Sequence, residues 1–234
     1  MKAKSDLLTS SRPKSSPAVA SSTARRVTVR MPAAERREQI LNKAFEFFAE
    51  YGLTAQTRAL ADACGVSQRL LYSVFPNKSA LINAVYEKEI AGVFKAVWFA
   101  QLRDRSLSME QRLNSFYCAY YQAVLTRRWM RLFLYASLAE AEMAPNFIAS
   151  IIRNLLETVM QEAAEEAALS LPQDAAQLQE IAWILHGSVS HLAVRRHIYH
   201  DKTPLNVEKV IALQVKSFLG GLHAVLPESV KDGV

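Results

Sequence analysis

The stretch Thr54 to Leu81, TAQTRALADACGVSQRLLYSVFPNKSAL, constrains this chain more than any other. It reads as two short helices joined by a tight reversal, with a third helix beginning at its end. Two such helices can cross near a right angle only where the contact residue is small, and Ala61 is small. The reversal needs a left-handed backbone residue, a conformation glycine adopts cheaply, and Gly65 stands there. Ser67 can then cap the next helix by accepting from its free N–H groups. The joint spacing, over about residues 57–76, is that of a helix-turn-helix, whose second helix enters the DNA major groove.

On that second helix, Leu71, Val74 and Phe75 point inward by spacing, while Gln68, Arg69, Tyr72 and Ser73 share the other face. Arg can grip guanine O6 and N7, Gln can pair with adenine N6 and N7, and an aromatic edge can meet a thymine methyl or a phosphate. An ordinary polar helix face has the same composition, so it is the helix-turn-helix context that turns these residues toward DNA. Asn77 caps the following helix. Lys78 lies in its first turn, where free N–H groups and the positive dipole end suit a phosphate.

Composition narrows the remainder. Half of the 234 residues are hydrophobic, with 7 glycines and 8 prolines, which favours helices over a turn-rich sheet protein. The most apolar run, Ile90 to Leu102, is interrupted by Lys95, which argues against a membrane span. Cys64 and Cys118 are isolated from one another, so neither a disulfide framework nor a zinc–thiolate site is expected, and a reducing cytoplasm fits. The net charge of +6 sits in residues 1–30, which hold seven basic side chains against the single acid Asp6. That segment has no apolar stripe and reads as a disordered basic tail, with Arg25, Arg26 and Arg30 placed to touch phosphates.

Taken in order, helix one is predicted over 32–51, with Ile40, Leu41, Ala44, Phe45, Phe47, Phe48 and Tyr51 on one broad face and Gly52 ending it. A helix from Ser79 is predicted to run unbroken to about Gln101, with only Gly92 as a weak point. Helices follow over about 108–126, 128–142, 145–170, 174–199 and 206–226, capped or bounded by Ser108, Pro145, Pro172, Asp174, Asn206 and Pro227.

The pieces ILNKAFEFFAEYG (40–52), LADACGVS (60–67), LLYSVF (70–75) and NKSAL (77–81) resemble the N-terminal DNA-binding domain of TetR-family transcriptional regulators. Val74 departs from the family pattern, where an aromatic residue or His often contacts phosphate, and Ser79 stands where Glu is common. The resemblance implies an all-α chain of about nine helices: a three-helix helix-turn-helix domain over 31–88, then a larger helical ligand-binding and dimerisation domain over 89–234. It implies a bacterial cytoplasmic regulator, usually a repressor, that binds double-stranded DNA as a homodimer. Thr57, Ser67, Gln68, Arg69, Tyr72, Ser73 and Lys78 are the expected DNA contacts.

The second domain is dense in aromatic residues. Trp98, Phe99, Tyr117, Tyr120, Tyr121 and Trp129 are candidates for the wall of a small-molecule pocket, with Phe133, Phe147 and Trp183 among further rings. Plain core packing accounts for any one of them, and a sensor cavity among them is what the resemblance implies. The expected effector is apolar or aromatic. The last two helices carry more apolar positions than one buried face needs, and the resemblance places a four-helix dimer contact there, with Trp183, Leu192, Leu213 and Phe218 as candidates. His197 and His200 are three apart with Asp201 near, but no further carboxylates gather, and a basic helix end explains the histidines. No metal, cofactor or catalytic motif is expected. A DNA-binding regulator controlled by a protein partner remains the alternative to ligand control.

Overall fold

The computed structural model describes residues 31–94, 96–139, 143–202 and 204–229. The tail over 1–30 lies outside the described residues. Everything described is helix, turn or loop apart from a single antiparallel bridge between Leu169 and Glu228. The all-α expectation holds.

Helix α1 (Ala33–Tyr51) buries Ile40, Leu41, Ala44, Phe47 and Phe48 along one stripe. It stops at Gly52, which takes φ +80, and the Gly52 N–H bonds the carbonyl of Phe48. Helix α2 (Thr57–Ala63) and helix α3 (Gln68–Val74) follow, then α4 (Lys78–Tyr86). Between α2 and α3, Gly65 has φ +68, and an added Cβ would meet nothing within 4 Å. Glycine is needed there for its backbone conformation, not for space.

Helix α4 does not continue to Gln101. At Glu87 it loosens into a π turn, Glu87–Ala91, and then ends. A Cβ on Gly92 would lie 2.8 Å from the carbonyl oxygens of Glu87 and Lys88, so the chain folds back on its own backbone there. Beyond the break, Phe94 and Trp98, ring centroids 5.1 Å apart, pack against Phe116 and Tyr120. Helix α5 is only Val97–Leu102.

Helix α6 (Met109–Ala123) opens with a capping box between Ser108 and Gln111. Thr126, expected as the end of this helix, instead caps α7 (Arg127–Leu138) by accepting from Trp129 N–H. The long helix expected from Pro145 begins slightly earlier. It is α8 (Met143–Phe147), a π turn Ile148–Ile152, and α9 (Arg153–Glu166). Asp174 caps α10 (Ala175–His197), and Asn206 caps α11 (Val207–Val225). Helix α10 packs on α6, α9 and α11, α6 packs on α9 and α11, and α1 packs on α7.

One buried ion cluster fixes the α5–α6 connection to α9. Arg112, 2% exposed, donates to the Leu102 carbonyl at 2.6 Å, to Glu162 at 2.8 Å and to Glu166 at 2.7 Å. Arg105 grips Glu162 and Glu165 from the solvent side. Donation first from Arg105, then from Arg112, holds the Glu162 carboxyl below its usual range against the opposing effect of burial. Removing a partner from a buried pair leaves an uncompensated charge. Arg112→Ala is therefore expected to cost roughly 3–5 kcal/mol, and Arg105→Ala, at an exposed position, much less. Urea denaturation of the two variants checks this ordering.

Candidate DNA-binding face and effector cavity

Gln68, Arg69, Tyr72 and Ser73 are exposed on α3, while Leu71 and Phe75 anchor its other side. Ser67 accepts from Leu70 N–H at 3.2 Å, so the reading helix begins on a satisfied cap. Val74 is half-buried. The remaining candidates fasten the motif internally. The Tyr72 hydroxyl donates to Thr57 Oγ1 at 3.2 Å, tying α3 to the start of α2. Ser73 Oγ donates to its own helix at the Leu70 carbonyl. Lys78 Nζ donates to the Ala55 carbonyl at 2.6 Å, joining α4 to the loop before α2, and partial burial lowers its pKa. Arg37 lays its guanidinium over the Phe75 ring at 5.1 Å. This leaves Gln68 and Arg69 as the base-reading candidates with the fewest internal duties.

Helix α7 joins this module to the aromatic region through two faces. On the outer face, Arg131 donates through Nε to the Ala49 carbonyl and through Nη2 to the Glu50 carbonyl, the latter at 2.8 Å. These carbonyls belong to the last turn of α1, where no helix N–H follows to satisfy them. The Arg131 guanidinium also lies over Tyr135, whose ring sits against Gly52. Arg127 and Arg128 approach Glu50 and Glu46 at 3.7 and 3.4 Å.

On the inner face, Trp129, Met130, Phe133 and Leu134 form one wall of a cavity of about 210 Å³. Phe147, Ile148 and Ile152, on and beside the second π turn, close one side. Tyr120 and Leu125 come from the end of α6, and Trp183, His186, Ser190 and Val194 from α10. Trp129 is also a wall of an outer cleft beside Phe45, Glu89 and Val93, at the junction of α1 and the first π turn. His186 is 3% exposed and its Nδ1 has no hydrogen-bond partner, nor has Trp129 Nε1. Burial pushes the His186 pKa down to about 4, so it is neutral at pH 7.

Of the six residues expected to line a pocket, Tyr120 and Trp129 do. Trp98 and Tyr117 are buried within the ring cluster. Tyr121 lies beside His197, 5.7 Å between centroids, and Phe99 lies under Arg103. One residue along a helix turns a side chain by about 100°, which separates Tyr121 from Tyr120. Of the four dimer candidates, Trp183 faces the cavity and Leu192 is fully buried within the protomer. Leu213 is 59% exposed, next to Ile184 at 60%, over a shallow apolar hollow that Phe218 floors. His197 and His200 do not share a helix face, because α10 ends between them and His200 takes φ +57.

Residues 40–85 match the family model described as bacterial regulatory proteins, tetR family. The N-terminal module is of the tetR family. No curated relative matches the chain by sequence. Solved structures extend the likeness to most of its length. A TetR-like regulator from Rhodococcus sp. RHA1 is 21% identical over 83% of this chain and 99% of its own, with a TM-score of 0.62. The fatty acid degradation regulator FadR from Bacillus halodurans is 18% identical over 80% and 96%, at 0.59. The ketosteroid transcriptional regulator KstR2 of Mycobacterium tuberculosis is 19% identical over 83% and 96%, at 0.58. At these identities the shared property is the fold: a tetR-type helix-turn-helix carried on a helical body. No described helix is long and apolar enough to cross a membrane.

The tetR-type module was legible from Ala61, Gly65 and Ser67. His186 was not, because a histidine in mid-helix carries no sequence mark of its burial among Tyr117, Tyr120 and Trp183. Its placement has a measurable consequence. Between pH about 6.5 and 4 the unfolded chain binds a proton at His186 that the folded chain does not. Stability is thus fully present above that window and falls as pH falls through it, by up to about 3 kcal/mol. His197, depressed first by burial and then by Arg127, adds in the same direction. Urea midpoints measured from neutral pH downward should fall less steeply for His186→Phe than for the parent chain.

Proposed function

We propose that this protein is a transcriptional repressor that acts as a homodimer on a near-palindromic operator and is released by a small molecule held in the α6–α7–α10 cavity. The observation that carries the reading is helix α7, which presents one face to that cavity and the other to the end of α1. Residues 31–88 serve as the DNA-reading domain and residues 89–234 as the sensing and dimerising domain. Gln68 and Arg69 read base edges, flanked by Tyr72 and Ser73, with Thr57, Ser67 and Lys78 on the phosphates. A second copy packs on the α10–α11 face around Ile184 and Leu213, the apolar surface that one protomer leaves exposed. Two-fold symmetry then sets two α3 helices about one DNA turn, ~34 Å, apart or a multiple of it.

Because α4 is broken at Gly92, a rigid α4 lever is not the route from cavity to DNA. The route is α7. A ligand that shifts Trp129 and Phe133 shifts Arg131 on the same helix, and with it the end of α1; α2 packs on α1, and α3 on α2. Moving the population from mostly bound to mostly released needs roughly 3–5 kcal/mol of preference for one state. By reciprocity, operator DNA weakens ligand binding by the same factor.

Gel shifts against the upstream region of the protein's own gene test the DNA-reading half. Arg69→Ala should cost about 1–3 kcal/mol and relax preference at one base position, whereas Lys78→Ala should weaken all sequences alike. Unchanged affinity and preference in Arg69→Ala would remove α3 as the reader. For the route, Arg131→Gln should leave effector affinity near that of the parent while operator and effector no longer affect one another, measured by titration with and without DNA. Coupling that survives in Arg131→Gln would exclude the α7 route.

A further inference from the structure

We propose that Arg37, held over the Phe75 ring, contacts a DNA phosphate at the C-terminal end of α3. This rests on the reading of α3 as the base-reading helix and adds a backbone anchor to it.

The cations of the N-terminal module divide by what already holds them. Lys43 pairs with Glu46, Lys88 with Glu38 and Asn42, and Lys78 gives a bond to the Ala55 carbonyl. Arg36, Arg37, Arg58 and Arg69 make no hydrogen bond or ion pair among the described residues. A free arginine sways among many rotamers, and a partner that fixes it must offset the lost freedom. Among the described residues, Arg37 alone of these four lies over an aromatic ring, at 5.1 Å from the centroid of Phe75. Phe75 is itself 3% exposed, so the ring is a fixed support.

That support does not use up the donors. The attraction is between the positive charge and the electron-rich face of the ring, and it spends no N–H on an oxygen. Arg37 is exposed, and its neighbour Glu38 is bonded to Lys88 instead. Five N–H groups in a rigid fork therefore remain for an acceptor outside the chain. A phosphate presents the paired oxygens that such a fork meets best.

Position selects the phosphate of DNA. The second helix of the motif lies in the major groove with its first residues at the base edges. A helix of about 10–12 Å diameter fills a groove of about 12 Å from wall to wall. Side chains that flank such a helix stand over the backbone. Arg37 is such a flank, since it reaches from α1 to the residue that caps the C-terminal end of α3. Pro76 and Asn77 then lead into α4, whose first N–H groups suit the same anion. Val74, the last residue of α3, carries no donor, and Lys78 already holds the Ala55 carbonyl. Arg37 is the cation at this end of α3 that no oxygen of the described residues has taken.

The test uses the full-length chain with two duplexes, one from the upstream region of its own gene and one of scrambled sequence. Fluorescence anisotropy over a series of NaCl concentrations gives the affinity and its salt slope. Arg37→Gln should weaken both duplexes by a similar factor and flatten the slope by about 0.9 for each phosphate that Arg37 meets. Arg37→Lys keeps the charge and should keep the slope. Because the position is exposed, both variants should show the helical signal of the parent by circular dichroism. A slope unchanged in Arg37→Gln would overturn the proposal. So would a slope that Gln and Lys flatten alike, which would make the residue a cover for Phe75 and not a charge at the backbone. Arg69→Ala separates the two readings. Preference lost in Arg69→Ala beside an unchanged slope in Arg37→Gln removes the Arg37 contact and keeps α3 as the reader. Preference kept in Arg69→Ala beside a flattened slope in Arg37→Gln removes α3 as the reader and keeps Arg37 on the backbone. No binding of either duplex by the parent chain removes both.

Discussion

The arrangement depends on how α1 ends. A helix leaves its last carbonyls without partners, and those of α1 face another helix instead of water. Arg131 meets two of them with a charged fork, the kind of hydrogen bond worth most in a protein. Tyr135 fills the space beside Gly52, where the chain turns left-handed away. The Arg127 and Arg128 ion pairs around this contact are exposed and contribute little. Helix α2 packs on α1 and α3 on α2, so the helix-turn-helix meets the body in part through the α1–α7 contact that Arg131 joins.

The body is organised by aromatic rings. Phe94, Trp98, Phe116, Tyr117 and Tyr120 pack ring against ring, edge-on or stacked, beside α5 and α6. The open volume lies one layer further, between α7 and α10, where the second π turn widens a helix that would otherwise run straight from Met143 to Glu166. Ring density alone therefore does not mark a binding site. The distinction lies in whether neighbouring rings interdigitate or line up as a wall, and that depends on helix packing across more than fifty residues of sequence.

Local signals were readable because they are local. Gly65, Ser67, Asn77, Ser108, Asp174 and Asn206 each act within four residues, and each does in the structure what its type implies. What the sequence does not show is mostly of longer range. The break at Gly92 is local, yet nothing in composition marks a π turn that brings two carbonyls to where a Cβ would stand. Leu192 and Leu213 look alike in sequence, yet one is fully buried and the other mostly exposed, because α10 and α11 face different neighbours along their lengths. Arg131 stood in an ordinary helix, and only the approach of α1 to α7 gives it a task.

The break at Gly92 has a consequence for anyone exchanging parts between such proteins. The chain joins the reading helices to the body through a turn rather than a rod, so the alignment of the two is carried by non-covalent contact. A chimera cut at this turn would inherit a new α1 but keep the old α7, and the arginine fork would then face carbonyls it was not matched to. The natural unit of exchange is thus discontinuous: residues 33–92 together with the outer positions 127, 128, 131 and 135 of a helix that follows them by some forty residues.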